Sequence, residues 1–487
     1  MGQRPCRAQK RVRTGGHGPP FLWQHQQGDA MTAYQSINPA NNQLLKNWET
    51  HDDARVYQAL ETADALYHSA WSKGDIQPRL QVLSRLADLM EQRKEELATI
   101  ASREMGKLIG QSRGEVSICI SIARYYAEHA AAFLQPQPYA SEIGEAWVEY
   151  HPIGVIVAVE PWNFPYYQLM RVLAPNLALG NPVLAKHANI VPHCADIFEQ
   201  LVREAGAPEG AWSNLFISNE QVADLIADDR VQGVALTGSE RAGSAVAQQA
   251  GKHLKKSTLE LGGNDVFIVL DDADLDEAVR QGVQARLSNC GQVCTAAKRF
   301  IVHAQIAEAF MSKFSAALQS AVPGDPLDEK TTLGPLSSLD ARDRLARQVE
   351  EAVEHGAELR FGGRVIEGVG CYYQPTLLTG LTPDNPAYYQ EFFGPVAQLY
   401  IAESDEAAVA LANDSHYGLG GSIWTRDMAR ARRLASQIET GMVFINSQSD
   451  TAAELPFGGI KRSGYGRELS DLGLKEFANQ KLVVIAG

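Results

Sequence analysis

The 487-residue sequence is short of several things, and each shortage removes a class of function. Cysteine is scarce: six residues lie scattered along the chain, with no CxxC box among them. A disulfide framework and a thiolate metal site therefore both lack their raw material. None of the 12 histidines falls in an HExxH pattern, so no metal is expected. No apolar run approaches the roughly eighteen residues of a membrane span, which argues against a membrane partner. Positive charge is in deficit, 44 Lys and Arg against 58 Asp and Glu, and a net charge of -14 disfavours nucleic acid. A GxGxxG dinucleotide fingerprint is missing as well.

What is present is a globular composition, 45% hydrophobic and 21% charged. The length predicts two or three domains. Residues 1–30 stand apart, because Arg4, Arg7, Lys10, Arg11 and Arg13 face only Asp29 there, amid Gly, Pro and Gln. They read as a disordered basic extension, with Met31 as an alternative start. An organelle-targeting leader would need the amphipathic stripe that they lack. Few and unpaired cysteines suit a reducing compartment, so the expected location is cytoplasmic.

Helical spacing begins at Asp52 and Asp53, which suit an N-cap and first turn ahead of Val56, Leu60 and Ala63. A second helix is predicted from Pro78, and a third through Tyr125 and Phe133 after a break near Gly106 or Gly110. Residues 135–152 carry two prolines, then Tyr139, Trp147, Val148 and Tyr150 around Gly144. This reads as a projecting hairpin whose aromatics need a partner surface, which predicts self-association. From Gly154 the apolar runs Val155–Val159, Val183–Ala185, Leu215–Ile217 and Val231–Leu236 alternate with helical patterns. That alternation predicts an open, doubly wound α/β sheet. A second series follows, with Val266–Leu270, Phe300–Val302, a helix from Ile306 and another near 338–355.

Such sheets bind ligands at the carboxyl ends of their strands, and the unusual motifs of this half fall there. After the first run, Glu160-Pro161-Trp162-Asn163-Phe164-Pro165 makes a rigid turn that projects the Asn163 amide. That amide suits either an oxyanion donor or a turn cap. Lys186 ends the second run and suits a ribose or phosphate. Thr237-Gly238-Ser239-Glu240-Arg241-Ala242-Gly243 opens a helix with small residues, an arrangement suited to a pyrophosphate. Glu260 follows an apolar strand and precedes two glycines, so a half-buried general base and a structural salt bridge are both open readings. Cys294, in Asn289-Cys290-Gly291-Gln292-Val293-Cys294-Thr295, sits among small residues and looks placed for access, although a lone cysteine is as often inert. Glu391-Phe392-Phe393-Gly394-Pro395 offers an acid and a flat aromatic surface that bind a ribose and a ring, or merely pack.

Together these stretches resemble the aldehyde dehydrogenase superfamily over about residues 34–485. The motifs that carry the likeness are PWNFP at 161–165, TGSERAG at 237–243, LELGG at 259–263, GQVCTA at 291–296, EFFGP at 391–395 and PFGGIKRSG at 456–464. EMGK at 104–107, KHA at 186–188 and CTAAKRF at 294–300 are most similar to the short bacterial succinate-semialdehyde dehydrogenases. The resemblance implies a Rossmann-like doubly wound cofactor domain (31–134 and 153–259) and an α/β catalytic domain (260–448). It also implies an oligomerisation β-arm with a C-terminal segment (135–152 and 449–487). The activity it implies is NAD(P)-dependent oxidation of succinate semialdehyde to succinate through a cysteine thiohemiacetal and thioester. A broader aldehyde dehydrogenase acting on other small aldehydes is the alternative. Cys294 is then the nucleophile, Asn163 with the Cys294 backbone N–H the oxyanion donors, and Glu260 the base that activates water. Trp162, Lys186, Asn189, Gly238, Ser239, Gly243, Glu391 and Phe393 fall at cofactor positions. Arg171 lies where the semialdehyde enzymes place an arginine for the distal carboxylate. Phe457 and Ser449 join it on the substrate side, with Arg286 and Lys298 as further candidates to assist. The implied partners are a small aldehyde and a second copy of the chain, as a homodimer or homotetramer.

Two positions depart from the family pattern. Cys290, four residues before the nucleophile, raises the expectation of a reversible Cys290–Cys294 disulfide. Asn189 stands three residues after Lys186, where many NAD-preferring members carry Glu. A neutral side chain there removes a repulsion that a 2′-phosphate would meet, so NADP is expected to be accepted alongside or ahead of NAD. Measured kcat/KM for both cofactors tests this reading of Asn189, and a strong preference for NAD would contradict it.

Overall fold

A computed structural model of the chain describes residues 34–487. The expected basic extension at 1–30 lies outside the described residues. Among them, two large sheets carry most of the core. The first has six strands in the order Gly464–Tyr465, Lys256–Glu260, Val231–Thr237, Val155–Glu160, Val183–His187, Trp212–Asn214. All pair in parallel except Gly464–Tyr465, which runs antiparallel to Lys256–Glu260. From Val155–Glu160 the chain first winds outward one way, then returns to its other side at Val231–Thr237. The crevice between those two carboxyl ends is the switch point at which such sheets take ligands.

The second sheet has seven strands: Glu358–Phe361, Thr376–Thr379, Val396–Ala402, Arg299–His303, Val266–Val269, Gly421–Trp424, Phe444–Ile445. Only Glu358–Phe361 is antiparallel to its neighbour. A third sheet joins Ala478–Ala486, Gly144–Pro152 and Gln137–Tyr139, all antiparallel. The hairpin expected at 135–152 is thus completed by the last strand of the chain. No helix of the described residues is long and apolar enough to cross a membrane.

Two sequence expectations are corrected here. The apolar run Leu215–Ile217 is not the strand. The ladder uses Trp212–Asn214, because these residues match Val183–Ala185 in register. The C-terminal segment also does more than form an arm, since Gly464–Tyr465 closes the edge of the cofactor sheet beside Glu260. The helical break falls at Gly106, in left-handed backbone (φ 81°), between helices Lys94–Met105 and Ile109–Phe133.

The helices that follow the first two strands start with Pro165 and Pro192 and have no cap from their own N-cap residues. Proline at that position leaves no N–H to satisfy, but the next ones need acceptors. Two buried glutamates from the helical layer supply them. Glu115 Oε1 accepts from the amides of Tyr166 (2.8 Å) and Tyr167 (3.1 Å). Glu104 accepts from those of His193 (2.9 Å) and Cys194 (2.8 Å). Glu115 Oε2 is paired with Lys107, whose ammonium lies 3.6 Å over the Phe164 ring. The turn that presents Asn163 is therefore pinned from behind by a buried ion pair. Removing one partner of such a pair costs about 3–5 kcal/mol, because the other charge stays buried. Glu115→Ala is expected to lower the urea midpoint of unfolding accordingly, and an unchanged midpoint would show the pair to be expendable.

Candidate active site

Cys294 follows a short 3-10 turn, Ser288–Gly291, in which Asn289 and Cys290 both hold left-handed backbone (φ 50° and 54°). Non-glycine residues rarely stay there unless the surroundings hold them. Here the surroundings do. Arg286 donates to the carbonyls of Gly291 (2.7 Å) and Val396 (3.2 Å). The Gln292 side chain donates to the Asn289 carbonyl at 3.0 Å and accepts from the Ser337 amide at 2.9 Å. Lys298 Nζ donates to the carbonyls of Val293 (2.9 Å) and Cys294 (2.6 Å) and pairs with Glu391 at 2.9 Å.

Cys294, Asn163 and Glu260 line one cleft of about 470 Å³, together with Trp162, Gly238, Ser239, Glu391 and Phe393. Asn163 is 4% exposed, and its Nδ2 donates to the Gln292 carbonyl at 3.1 Å. The Asn289 side chain returns a bond to the Asn163 carbonyl at 2.9 Å, so turn and cysteine loop are laced together. Glu260 is buried, and neither carboxylate oxygen has a hydrogen-bond partner among the described residues. Its Oε1 stands 2.7 Å from where a Cβ on Gly458 would be, so only glycine leaves it room. Burial, then the charge of Glu468, pushes its carboxyl well above the usual range, with Arg171 and Arg467 opposing. Burial also pushes the Cys294 thiol up to about 11, with Lys298 and Arg171 pulling it back.

The residues on the other side of the cleft fit a dinucleotide. Ser239 caps the helix Glu240–Lys252, and Gly238 beside it adds no bulk, which leaves backbone donors for a phosphate. Trp162 and Phe393 meet edge-on at 5.8 Å across the opening. Glu391 accepts from the Gly263 amide at 3.2 Å, and Gly262 must lack a side chain for its carboxylate to approach. Lys186, at the next strand end, holds its ammonium 5.8 Å over the Tyr34 ring, and burial lowers its pKa. A cation held that way suits a phosphate. Asn189 follows it in the loop, its carbonyl accepting from the Gln35 amide at 3.1 Å. Gly243, in the first turn of the helix Glu240–Lys252, is packed closely, since a Cβ there would lie 2.6 Å from the Leu261 side chain.

The substrate-side expectations fare differently. Arg171 is 1% exposed, paired through Nε with Glu468 and bonded through Nη2 to the Thr237 hydroxyl at 3.0 Å. Phe457 is buried against that guanidinium at 4.7 Å. Ser449 is half-buried and donates to Asp265 at 3.3 Å. In this structure the Arg171 guanidinium, the residue expected to clamp a distal carboxylate, is engaged by Glu468 and Thr237, close enough to act on the Cys294 thiol and the Glu260 carboxyl. Arg286 and Lys298 are likewise braces of the cysteine loop. Cys290 packs in the core around the seven-stranded sheet, its thiol pushed up to about 12 by burial, while Cys294 packs against the core around the six-stranded sheet. The two cysteines of the expected disulfide are both free in this structure and pack against different cores.

Sequence reasoning passed over Gln292, Asn289, Glu468 and Glu115. Glu468 carried one signal, an acid next to Arg467 within a few residues of the glycine-rich 456–464 run.

The model described as the aldehyde dehydrogenase family matches residues 23–483. A succinate-semialdehyde dehydrogenase (NADP+) of Deinococcus radiodurans is 47% identical over 450 residues, 92% of this chain and 94% of that one. A succinate semialdehyde dehydrogenase (NAD(P)+) of Escherichia coli K12 is 45% identical over 92% of this chain and 97% of its own. The crystal structure of a succinic semialdehyde dehydrogenase from Streptococcus pyogenes in complex with NADP+ superposes with a TM-score of 0.92 at 49% identity. It covers 93% of this chain and 100% of that one.

A thiol raised to about 11 is almost wholly protonated near neutral pH. Alkylation of Cys294 by iodoacetamide in the free protein is therefore expected to keep accelerating above the pH at which an ordinary thiol has levelled off. A plateau below about pH 8.5, the value of a free cysteine, would contradict the burial argument.

Proposed function

The chain belongs to the aldehyde dehydrogenase family, and from that premise we propose that it oxidises succinate semialdehyde to succinate with NADP or NAD. The observation that carries the chemistry is the convergence of one thiol, one amide and one partnerless carboxylate on a single cleft. The relatives named above supply the substrate class.

The Cys294 thiol gives its proton to water, Sγ bonds to the aldehyde carbon, and the C=O π pair moves onto oxygen, where negative charge builds. The Asn163 Nδ2 and the Cys294 backbone N–H hold that charge without moving, because loop and turn are already laced together. The Ser239 helix terminus, Glu391 and the Trp162–Phe393 pair would hold a nicotinamide dinucleotide, which would supply the acceptor for the hydride that the substrate carbon loses as the oxyanion collapses to a thioester on Cys294. Glu260, whose proton affinity is raised by burial, takes a proton from water. The hydroxide attacks the thioester on Cys294, the C–S bond breaks, the acid leaves, and the thiol recovers a proton.

One observation favours the broader reading, in which other small aldehydes are also taken. Arg171 is committed to Glu468 and Thr237, so it offers no free fork to a distal carboxylate. We further assign self-association to the antiparallel sheet, whose edge leaves Leu482, Val484, Ile485, Tyr139 and Ile143 exposed. A cytoplasmic location is supported by the cysteines, all free among the described residues.

NADPH formation with succinate semialdehyde and with butanal separates the two substrate readings. A charge-assisted contact to the distal carboxylate is worth about 1.5–3 kcal/mol, so kcat/KM for the semialdehyde is expected to be at least about tenfold higher. Equal values would establish the broader reading. Cys294→Ser is expected to abolish turnover of both.

A further inference from the structure

Glu160 has no part in the mechanism above, yet its surroundings are those of a functional group. It ends the strand Val155–Glu160, immediately before Pro161-Trp162-Asn163, and is 3% exposed. Neither of its carboxylate oxygens has a hydrogen-bond partner among the described residues. An ionised carboxylate without a donor is costly to bury.

Strand register says what it faces. Val159 is paired with Leu236, and Thr237 with Glu260. Glu160, Thr237 and Glu260 therefore form one row across three neighbouring parallel strands, on the same face of the sheet. From the helix Pro165–Leu179, Arg171 bonds to the Thr237 hydroxyl in the middle of that row and is paired with Glu468 behind it. One guanidinium stands among three buried carboxylates, and Glu468 is the one in contact with it.

Taking Glu260 as the base, as proposed above, we infer that Glu160 is a positioning residue for it. The two carboxylates, one on each side of Thr237, hold a single proton between them, and Glu160 thereby sets the pH at which Glu260 accepts a proton from water. Like charges on one buried row resist ionising together, and the guanidinium among them is already paired with Glu468. Burial first, then Glu468, raises both carboxyls; the charge of Glu260 raises Glu160 further and that of Glu476 raises Glu260, while Arg171 opposes on both sides. Arg467 opposes on the Glu260 side, and the Thr237 hydroxyl on the Glu160 side. His187, on the neighbouring strand, bonds the Glu160 carbonyl at 3.2 Å, and burial lowers its pKa to about 4, so it stays neutral.

The sign follows directly. Replacing Glu160 by a neutral isostere removes a repulsion felt by ionised Glu260, so the base ionises at lower pH. The test is the pH dependence of deacylation, read after the burst with p-nitrophenyl acetate on the full chain without cofactor, for wild type, Glu160→Gln and Glu260→Gln. Glu160→Gln is expected to move the acidic limb of deacylation down by about one pH unit or more, with the acylation burst unchanged. If Glu260→Gln slows deacylation and Glu160→Gln titrates like wild type, the shared proton is wrong and the base assignment survives. If Glu260→Gln deacylates like wild type, both fall. Should Glu160→Gln not fold, infrared titration of the wild-type chain decides. The carboxylic-acid carbonyl band is expected to disappear in two separated steps, and a single step would overturn the inference.

Discussion

One ammonium group, that of Lys298, holds the catalytic half of the cleft in order. Fully enclosed, it takes up the carbonyls of Val293 and Cys294 on one side and the carboxylate of Glu391 on the other. A buried cation is tolerated only when its donors are met, and here each partner belongs to a functional stretch. The nucleophile's backbone and the carboxylate facing the cofactor side are thereby referred to a common point. Arg286 does the same from below through Gly291 and Val396. The cleft is organised by cations that point at backbone, which keeps the side chains that face the opening free for chemistry.

The same economy appears in the cofactor half, with the charges reversed. Glu115 and Glu104 are buried acids used as helix caps, spanning from one helical layer to the first turns of two others. Because both helices open on proline, their own N-cap positions contribute no side-chain acceptor. The rigid turn at 161–165 and the cap behind it are two parts of one device for aiming Asn163.

Much of this was legible in the chain. The apolar runs at 155, 183, 231 and 266 became strands because period and length agree with a sheet buried on both faces. The motif residues fell at their carboxyl ends because only there does the chain leave the ladder. What escaped reading was long-range. Leu215–Ile217 looks as good a strand as Trp212–Asn214, and only the register with Val183 chooses between them. The position of Arg171 along its helix says that it turns inward. It does not say that Glu468, far along the chain, waits to pair with it. Lys298 and Arg286 were read as cations in search of a ligand, whereas they are saturated by carbonyls, which no side-chain pattern advertises. Gly243 sits in the motif expected at a phosphate, and its missing side chain makes room for Leu261.

The consecutive left-handed residues Asn289 and Cys290 carry a last implication. Two such residues in a row cannot be supplied by side-chain adjustment, so the height at which the sulfur enters the cleft is written into the main chain. A rotamer change at Cys294 can swing the thiol, but it cannot lift the loop. The arc open to the Cys294 sulfur is thus the one its rotamers allow, above a loop whose height its main chain sets.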